Sequence, residues 1–151
     1  MGMDVYGDEP SNPKGEYFRN NVWFWHPLWN YCLECHPDPA AKVEEGHSNS
    51  GDGLNSEDSL KLGNLLKKDL LLGKVKSYED KYKKRIESLP LQECSHCQGT
   101  GIRNDAYVQG TCNACDGKGQ VKSFESNYPF SESNVEEFAE FLVNCGGFKI
   151  C

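Results

Sequence analysis

The chain has 151 residues, eight of them cysteines, and a formal net charge of −7 at pH 7. This length suffices for one compact domain with a small inserted module, and it leaves no room for a second full domain. The negative charge argues against a protein built to bind the phosphate backbone of nucleic acids, because such binding depends on an excess of Lys and Arg.

The amino terminus, MGMDVYGDEP, has neither the basic start nor the apolar run of a secretory signal. No stretch approaches the 18 consecutive apolar residues of a membrane helix. We therefore expect a soluble protein of the cytoplasm. In that reducing compartment, eight cysteines indicate metal binding more than disulfides.

A dense aromatic block follows the amino terminus. Residues 16–19 are expected to form a short strand, residues 20–21 a turn, and Pro27 is placed to begin a helix. Residues 37–55 are rich in Pro, Gly, Ser, Asn and Asp and lack an apolar period, which predicts a long loop.

Three helices are predicted further along the chain. Ser56 begins a leucine-rich helix that ends at Gly73, and Ser77 begins a second helix with a capping box. Ser133 caps the third helix, whose apolar stripe ends at Gly146.

The last four residues, 148–151, are predicted to form a strand that pairs with the strand near Tyr17. These elements predict an α+β fold, a small helical domain with a few short strands and an inserted zinc-binding β-hairpin. The main domain would comprise residues 1–90 and 123–151, and the zinc insertion residues 91–122.

The insertion contains the pattern Cys-x-x-Cys-x-Gly-x-Gly twice, as CSHCQGTG and CNACDGKG. Each Cys-x-x-Cys turn presents two thiolates to one ion, and the glycines let the chain reverse without a Cβ clash. Iron in the same sulfur cage and a redox dithiol pair are the alternatives to zinc. His96 could be a spare ligand, although four cysteines already complete a tetrahedron. The predicted ligands of one structural Zn²⁺ are Cys94, Cys97, Cys112 and Cys115.

These two knuckles resemble the cysteine-rich region of DnaJ-type chaperones over about 26 residues. That family has four copies of the motif and two zinc sites, so the two copies here imply one site. The J-domain of the family carries a His-Pro-Asp triplet, which occurs here at residues 36–38. The triplet of a J-domain follows a basic helix, whereas this chain has no Lys or Arg between Arg19 and His36, so a J-domain is not expected.

The other four cysteines allow two further interpretations. The segment CLECH, residues 32–36, has the spelling of a c-type haem attachment site, but that chemistry follows export and no export signal is present. A second zinc site is the other possibility. Its ligands would be Cys32, Cys35, Cys145 and Cys151.

The aromatic block also suggests a ligand pocket, although packing in the core is the simpler role for most of its side chains. Arg can clamp a phosphate, Asn can bond to amides or base edges, and Trp can stack on a planar ring. His47, Asp52 and Tyr128 could complete such a pocket for a small polar or nucleotide-like ligand. The candidate ligand-binding residues are Arg19, Asn20, Asn21, Trp23, Trp25, His26, Trp29 and His47.

Four stretches, MGMDVYG, YFRNNVWFWHPLW, GDGL and YPFSESNVEEFAEFLVNCGGFKIC, are similar to a group of small proteins of phages and bacteria. The resemblance transfers no activity, and it implies a protein acting in the bacterial cytoplasm. For a phage protein of this size, binding a host protein or sequestering a host signalling molecule, a counter-defence role, is a plausible expectation.

Three functions therefore stay open. The first is a zinc-stapled binding protein for a nucleotide-like ligand or a host protein, without catalytic activity. The second is a hydrolase or phosphodiesterase that uses His26, His47, Asp52 and Asp38. The third is a chaperone-like or nucleic-acid binder that uses the zinc hairpin and residues 67–85, where eight Lys or Arg stand against three Asp or Glu.

Overall fold

The computed structural model describes all 151 residues and divides them into two compact units. The first unit, the main unit, comprises Met1–Lys83 and Tyr128–Cys151. The second comprises Lys84–Asn127, and we call it the zinc unit after the predicted zinc insertion, residues 91–122, that it contains. Helices and short strands occur together, as expected for the predicted α+β class.

A four-stranded antiparallel sheet lies in the main unit. Its strands are β1 (Gly2–Gly7), β2 (Tyr17–Asn21), β3 (Gly53–Leu54) and a carboxy-terminal strand (Phe148–Ile150). The carboxy-terminal strand pairs with β1 and β3, and β1 separates it from β2. The predicted pairing with the strand near Tyr17 is therefore wrong, because the amino-terminal residues alternate buried and less buried positions and form a central strand.

The first helix, α1 (Val22–Cys35), begins five residues before Pro27. The Asn21 side chain accepts a hydrogen bond from the Phe24 amide at 3.0 Å and so caps the helix. Asn20 and Asn21 belong to β2 rather than to a turn. Pro27 lies inside α1, where the helix forgoes one backbone hydrogen bond. The predicted start is too late because Pro27 suits the first turn of a helix, whereas the Asn21 cap fixes the observed start at Val22.

The predicted long loop, residues 37–55, contains a single turn of helix, α2 (Pro37–Ala40), and strand β3. The next helices are α3 (Ser56–Leu71) and α4 (Lys74–Ser88). Between them Gly73 has the left-handed φ of +73° that ends the leucine-rich helix as predicted. Helix α4 begins three residues before the predicted Ser77.

The last helix, α5 (Glu132–Asn144), has Ser131 rather than Ser133 at its N-cap position, without a side-chain hydrogen bond to the first turn, and is followed by Gly146 in the left-handed region. Helix α5 packs against α3 at Gly63, where a Cβ atom would lie 2.7 Å from a methyl group of Val143. A side chain at this position would push the two helices apart, so the glycine permits their close approach.

The core of the main unit is largely aromatic. Trp25 and Trp29 stack with ring centroids 5.7 Å apart and are fully buried. The Trp25 indole donates a hydrogen bond to Gly46 O at 2.7 Å, which ties the long loop to α1. Other large buried side chains of this core are Phe138, Phe141, Phe148, Leu62 and Leu66.

The zinc unit is built from two short antiparallel strand pairs. Strand β4 (Gln92–Glu93) pairs with β7 (Gln120–Val121), and β5 (Ile102–Asn104) pairs with β6 (Gln109–Thr111). The β5–β6 pair is the hairpin predicted between the knuckles. The only buried hydrophobic cluster of the zinc unit consists of four cysteines, with Val121 packed against them. Burial of apolar side chains therefore contributes little to the stability of this unit.

The carboxy-terminal strand, Phe148–Ile150, is β8.

None of the five helices combines the length and the apolarity that crossing a membrane requires.

Candidate functional site

The four knuckle cysteines converge on one point, with their sulfur atoms all within 4.8 Å of one another. The distance from Cys94 Sγ to Cys112 Sγ is 3.9 Å, and that from Cys97 Sγ to Cys115 Sγ is 3.7 Å. A tetrahedral zinc ion with Zn–S bonds of about 2.3 Å separates its sulfurs by about 3.8 Å. All four cysteines are buried. The donor set thus fits one tetrahedral metal ion.

The two knuckles bond to each other in a nearly symmetric way. The Cys94 amide donates to Gly119 O and the Cys112 amide donates to Gly101 O, both at 2.9 Å. The amides of Gly101 and Gly119 in turn donate to the sulfurs of Cys97 and Cys115, both at 3.2 Å. Each knuckle thereby fixes the other knuckle's first cysteine and orients its own second thiolate.

The second glycine of each knuckle is required for two reasons. Gly101 and Gly119 have φ values of +77° and +75°, in the left-handed region. A Cβ atom on Gly101 would lie 2.3 Å from Gly117 O, and one on Gly119 would lie 2.4 Å from Gly99 O. The sequence pattern therefore records a close contact between the two loops as well as their turn conformations.

The surroundings of the sulfurs favour at least one thiolate. Burial opposes ionisation of Cys97, but the Gly101 amide and the neighbouring thiols outweigh it and lower the pKa of Cys97 to about 7. Burial raises the pKa of Cys112 to about 11. Sulfurs this close cannot all carry charge without a cation between them, and a bound metal ion would supply that charge.

His96, the possible spare ligand, is exposed and does not belong to the sulfur cluster. The four cysteines proposed for a second metal do not come together either, because the knuckle cluster is the only group of three or more metal-ligating side chains in the chain. Cys32 is fully buried in the core, which leaves no room for a haem thioether. Cys145 donates to Leu142 O within the core, and Cys35 and Cys151 are exposed.

The predicted ligand residues are dispersed. Trp25 and Trp29 are core residues with no exposed surface, so they cannot contact a ligand. Asn20 forms a reciprocal pair of amide hydrogen bonds with Asn134, at 2.9 and 2.6 Å, and Asn21 caps α1. Arg19 is exposed and lies 3.5 Å from Asp4. These residues have structural partners instead of forming one pocket.

Three of the predicted ligand residues, Trp23, His26 and His47, do lie in one surface cluster. The Nδ1 atoms of His26 and His47 are 2.7 Å apart, and His47 Nε2 lies 3.0 Å from Asn30 Oδ1. Because the Asn30 oxygen needs a donor, His47 carries its proton on Nε2 and accepts from His26 at Nδ1. His47 is therefore neutral, and burial lowers the pKa of both His26 and His47, which favours the neutral form of His26 as well. Trp23 contacts Tyr128, which also lies beside His26.

The acids of the predicted hydrolase do not join the histidines. Asp52 accepts hydrogen bonds from the amides of Glu45 and Gly53, so it organises the long loop. Asp38 pairs with Lys61 at 2.9 Å on the surface. Much of the basic segment 67–85 is also paired with carboxylates. Its ion pairs are Lys67–Glu140, Lys76–Glu79, Lys76–Asp80, Lys83–Glu79 and Arg85–Glu125.

A further polar cluster was missed by the sequence analysis. Asp69 is only 4% exposed, and its Oδ2 accepts hydrogen bonds from the Tyr31 hydroxyl at 2.7 Å and from His36 Nε2 at 2.6 Å. A cavity of about 440 Å³ lies beside it. The available signal was an acidic residue seven positions after the buried Leu62 and three after the buried Leu66, on the apolar face of α3. The cavity is lined by Tyr31, Cys35, His36, Asp69, Lys74, Ser77, Tyr78 and Lys81.

Comparisons with protein-family models, curated proteins and solved structures find no match to this chain.

Proposed function

We propose that this chain is a zinc-stapled binding protein of the bacterial cytoplasm. The observation that carries the proposal is the tetrahedron of four buried sulfurs, whose spacing suits one zinc ion. A site with four protein ligands has no open position for water, so zinc here acts as a scaffold rather than as a Lewis acid. The ion replaces the apolar core that the zinc unit lacks.

Metal analysis of the purified protein tests the zinc assignment. We expect one zinc per chain in the wild type and in the control Cys151→Ser, whose cysteine is exposed and outside the cluster. We expect a substoichiometric zinc content in Cys112→Ser. Replacement by Co²⁺ should produce the visible absorption of tetrahedral sulfur coordination. Iron in the wild type, or full zinc occupancy of Cys112→Ser, would contradict the assignment.

The ligand that we propose is a small nucleotide-like molecule. The support is the surface cluster of Trp23, Tyr128, His26 and His47, in which Trp23 offers an aromatic face. Nucleotide retained through purification would be detected by native mass spectrometry of protein from a bacterial lysate. We expect Trp23→Ala to lose the bound molecule. Phe24→Ala, which changes an equally exposed neighbouring aromatic, should retain it. Retention by both variants would contradict this location.

A host protein is the second candidate partner, because the zinc unit exposes large apolar side chains. Ile102 and Tyr107 are 65% and 91% exposed on and beside the β5–β6 hairpin. Exposed large apolar side chains on a hairpin suit a protein interface. Cross-linking with a host lysate should give a discrete product with wild type and with Leu71→Ser, an exposed leucine of the main unit. The product should be lost with Ile102→Ser, and its persistence would argue against this surface.

A further inference from the structure

We propose that the cavity beside Asp69 binds a small sugar phosphate, either free or as part of a nucleotide. This cavity lies in the main unit, and none of its lining residues belongs to the sulfur cluster or to the Trp23 surface. The inference shares with the proposed function only the class of ligand. Its volume of about 440 Å³ falls in the range of small-molecule pockets, roughly 300–1,000 Å³.

The buried carboxylate of Asp69 is the first sign of a binding site. It lies in the last turn of α3, where the helix dipole opposes a negative charge, and no Lys or Arg pairs with it. Tyr31 and His36 hold it with two short hydrogen bonds, both to Oδ2. A buried, ionisable network beside a cavity is costly for stability and is typical of functional sites.

The second oxygen of Asp69 has no hydrogen-bond partner in the chain. All the hydrogen bonds of the Asp69 side chain end on Oδ2, which leaves Oδ1 as an acceptor in a residue that lines the cavity. A ligand hydroxyl group would satisfy this oxygen, as sugar hydroxyls do with buried carboxylates. This feature selects a ligand with hydroxyl groups over a bare phosphate ion.

Two unpaired lysines supply the opposite charge. Lys74, Ser77 and Lys81 follow one another on α4 at spacings of three and four residues and so share one face of the helix. Neither lysine lies within salt-bridge distance of a carboxylate, whereas Lys76 and Lys83 on the same helix are paired. Their ammonium groups, with the Ser77 hydroxyl, are suited to a phosphate dianion.

The balance of charge at the cavity favours an anion. Two positive lysines oppose the one carboxylate among the lining residues, and that carboxylate is already hydrogen-bonded by Tyr31 and His36. Glu34 lies nearby and accepts a bond from the Tyr78 hydroxyl at 3.2 Å, but it does not line the cavity. Phosphate at the lysines and a sugar hydroxyl at Asp69 would use both kinds of group together.

Isothermal titration calorimetry with ribose 5-phosphate, AMP and unphosphorylated ribose tests the inference. We expect the two phosphorylated probes to bind and ribose not to bind. Lys74→Ala and Lys81→Ala, both at exposed positions, should each weaken binding by about 10-fold or more, because each variant would lose a charge-assisted hydrogen bond to the phosphate. The control Lys84→Ala removes the same charge from the same helix outside the cavity, and its affinity should stay within about 2-fold of the wild type. Preference for AMP over ribose 5-phosphate would identify a nucleotide, and equal binding a free sugar phosphate.

The variant Asp69→Asn distinguishes the contribution of the sugar to binding from that of the phosphate. This variant should lower the affinity for ribose 5-phosphate more than the affinity for inorganic phosphate. If the buried substitution unfolds the chain, the variants of the surface lysines still test the inference. Absence of binding by both phosphorylated probes, or equal affinity of Lys74→Ala, Lys81→Ala and Lys84→Ala, would overturn the inference. AMP binding lost only in Trp23→Ala would also overturn it and would leave the proposed function intact. Zinc content measured on the same samples tests the scaffold independently.

Discussion

At the scale of single residues, the structure depends on a few side chains with short contacts and on a few glycines at which a side chain would not fit. Gly101 and Gly119 matter because a carbonyl of the opposite knuckle occupies the space that a Cβ atom would need. Asp69 matters because one carboxylate meets two donors while buried. Such contacts are sensitive to the loss or gain of a single atom.

Gly101→Ala should weaken metal binding by at least about 10-fold, since the new methyl group would meet Gly117 O and the φ of +77° also disfavours a side chain by about 1–2 kcal/mol. Competition with a chelator measures the zinc affinity. Gly110→Ala is the matched control, because Gly110 lies in the same unit with positive φ and has open space around it. Equal losses in both variants would show that the close contact contributes nothing.

The paired histidines predict a pH dependence of stability. Burial lowers the pKa of His26 and of His47 in the fold, so below about pH 6.5 the unfolded chain takes up protons that the folded chain does not. The free energy of unfolding should fall between pH 7.5 and 5.5 by less than about 1 kcal/mol, because both rings are partly solvated.

Urea unfolding at the two pH values checks this prediction. His47→Gln keeps a donor for Asn30 and should reduce the pH dependence, whereas His96→Gln, at an exposed histidine of the zinc unit, should leave it unchanged. A pH dependence of the same size in His47→Gln would exclude the histidine pair as its cause.

At the scale of elements, caps and close approaches decide where helices begin and how they pack. Asn21 and Asn55 both accept hydrogen bonds from amides of the first helical turn, and both lie immediately before the helices that they cap. Asn21 is also the last residue of β2, so one side chain marks the passage from strand to helix. The position of α1 in turn sets the positions of Trp25, Trp29 and Tyr31.

Asn21→Ala should reduce the free energy of unfolding of the main unit by about 1 kcal/mol, because the Phe24 amide loses its acceptor. Tryptophan fluorescence during urea unfolding measures the effect, since all three tryptophans lie in α1. The control Asn64→Ala replaces an exposed asparagine inside α3 and should leave stability unchanged or slightly higher. A loss in Asn64→Ala equal to that in Asn21→Ala would contradict the capping role.

At the scale of the whole molecule, the two units are stabilised by different means. The main unit has an aromatic core of buried side chains, whereas the zinc unit has only its cysteine cluster and Val121. A metal ion held by the four cysteines would therefore be needed for folding of the second unit and not of the first.

Removal of the metal with a strong chelator should unfold the zinc unit selectively. Amide hydrogen exchange across residues 92–121 should become fast, while tryptophan fluorescence should stay unchanged because Trp23, Trp25 and Trp29 all belong to the main unit. Addition of Zn²⁺ should restore protection. A loss of tryptophan signal in parallel with the exchange would show that the main unit also depends on the metal.

The sequence alone determined the features that depend on local spacing. Two cysteines three residues apart, with glycines after them, favour a turn that presents both sulfurs on one side, so the four cysteines of the buried cluster could be named before the fold was known. Apolar periodicity likewise predicted the three later helices, although α4 and α5 begin earlier than the serines predicted to cap them.

The tertiary structure alone decided which distant side chains meet. Because Arg19, Asn20 and the tryptophans are close in sequence, they were predicted to form one pocket. In strands and helices, however, neighbouring side chains point in different directions, and Trp25 and Trp29 are buried in the core. The Tyr31–His36–Asp69 cluster spans 38 residues of sequence and depends on the packing of α1 against other helices. Long-range contacts of this kind produce no periodic pattern in the sequence, because they depend on the burial of many side chains at the same time.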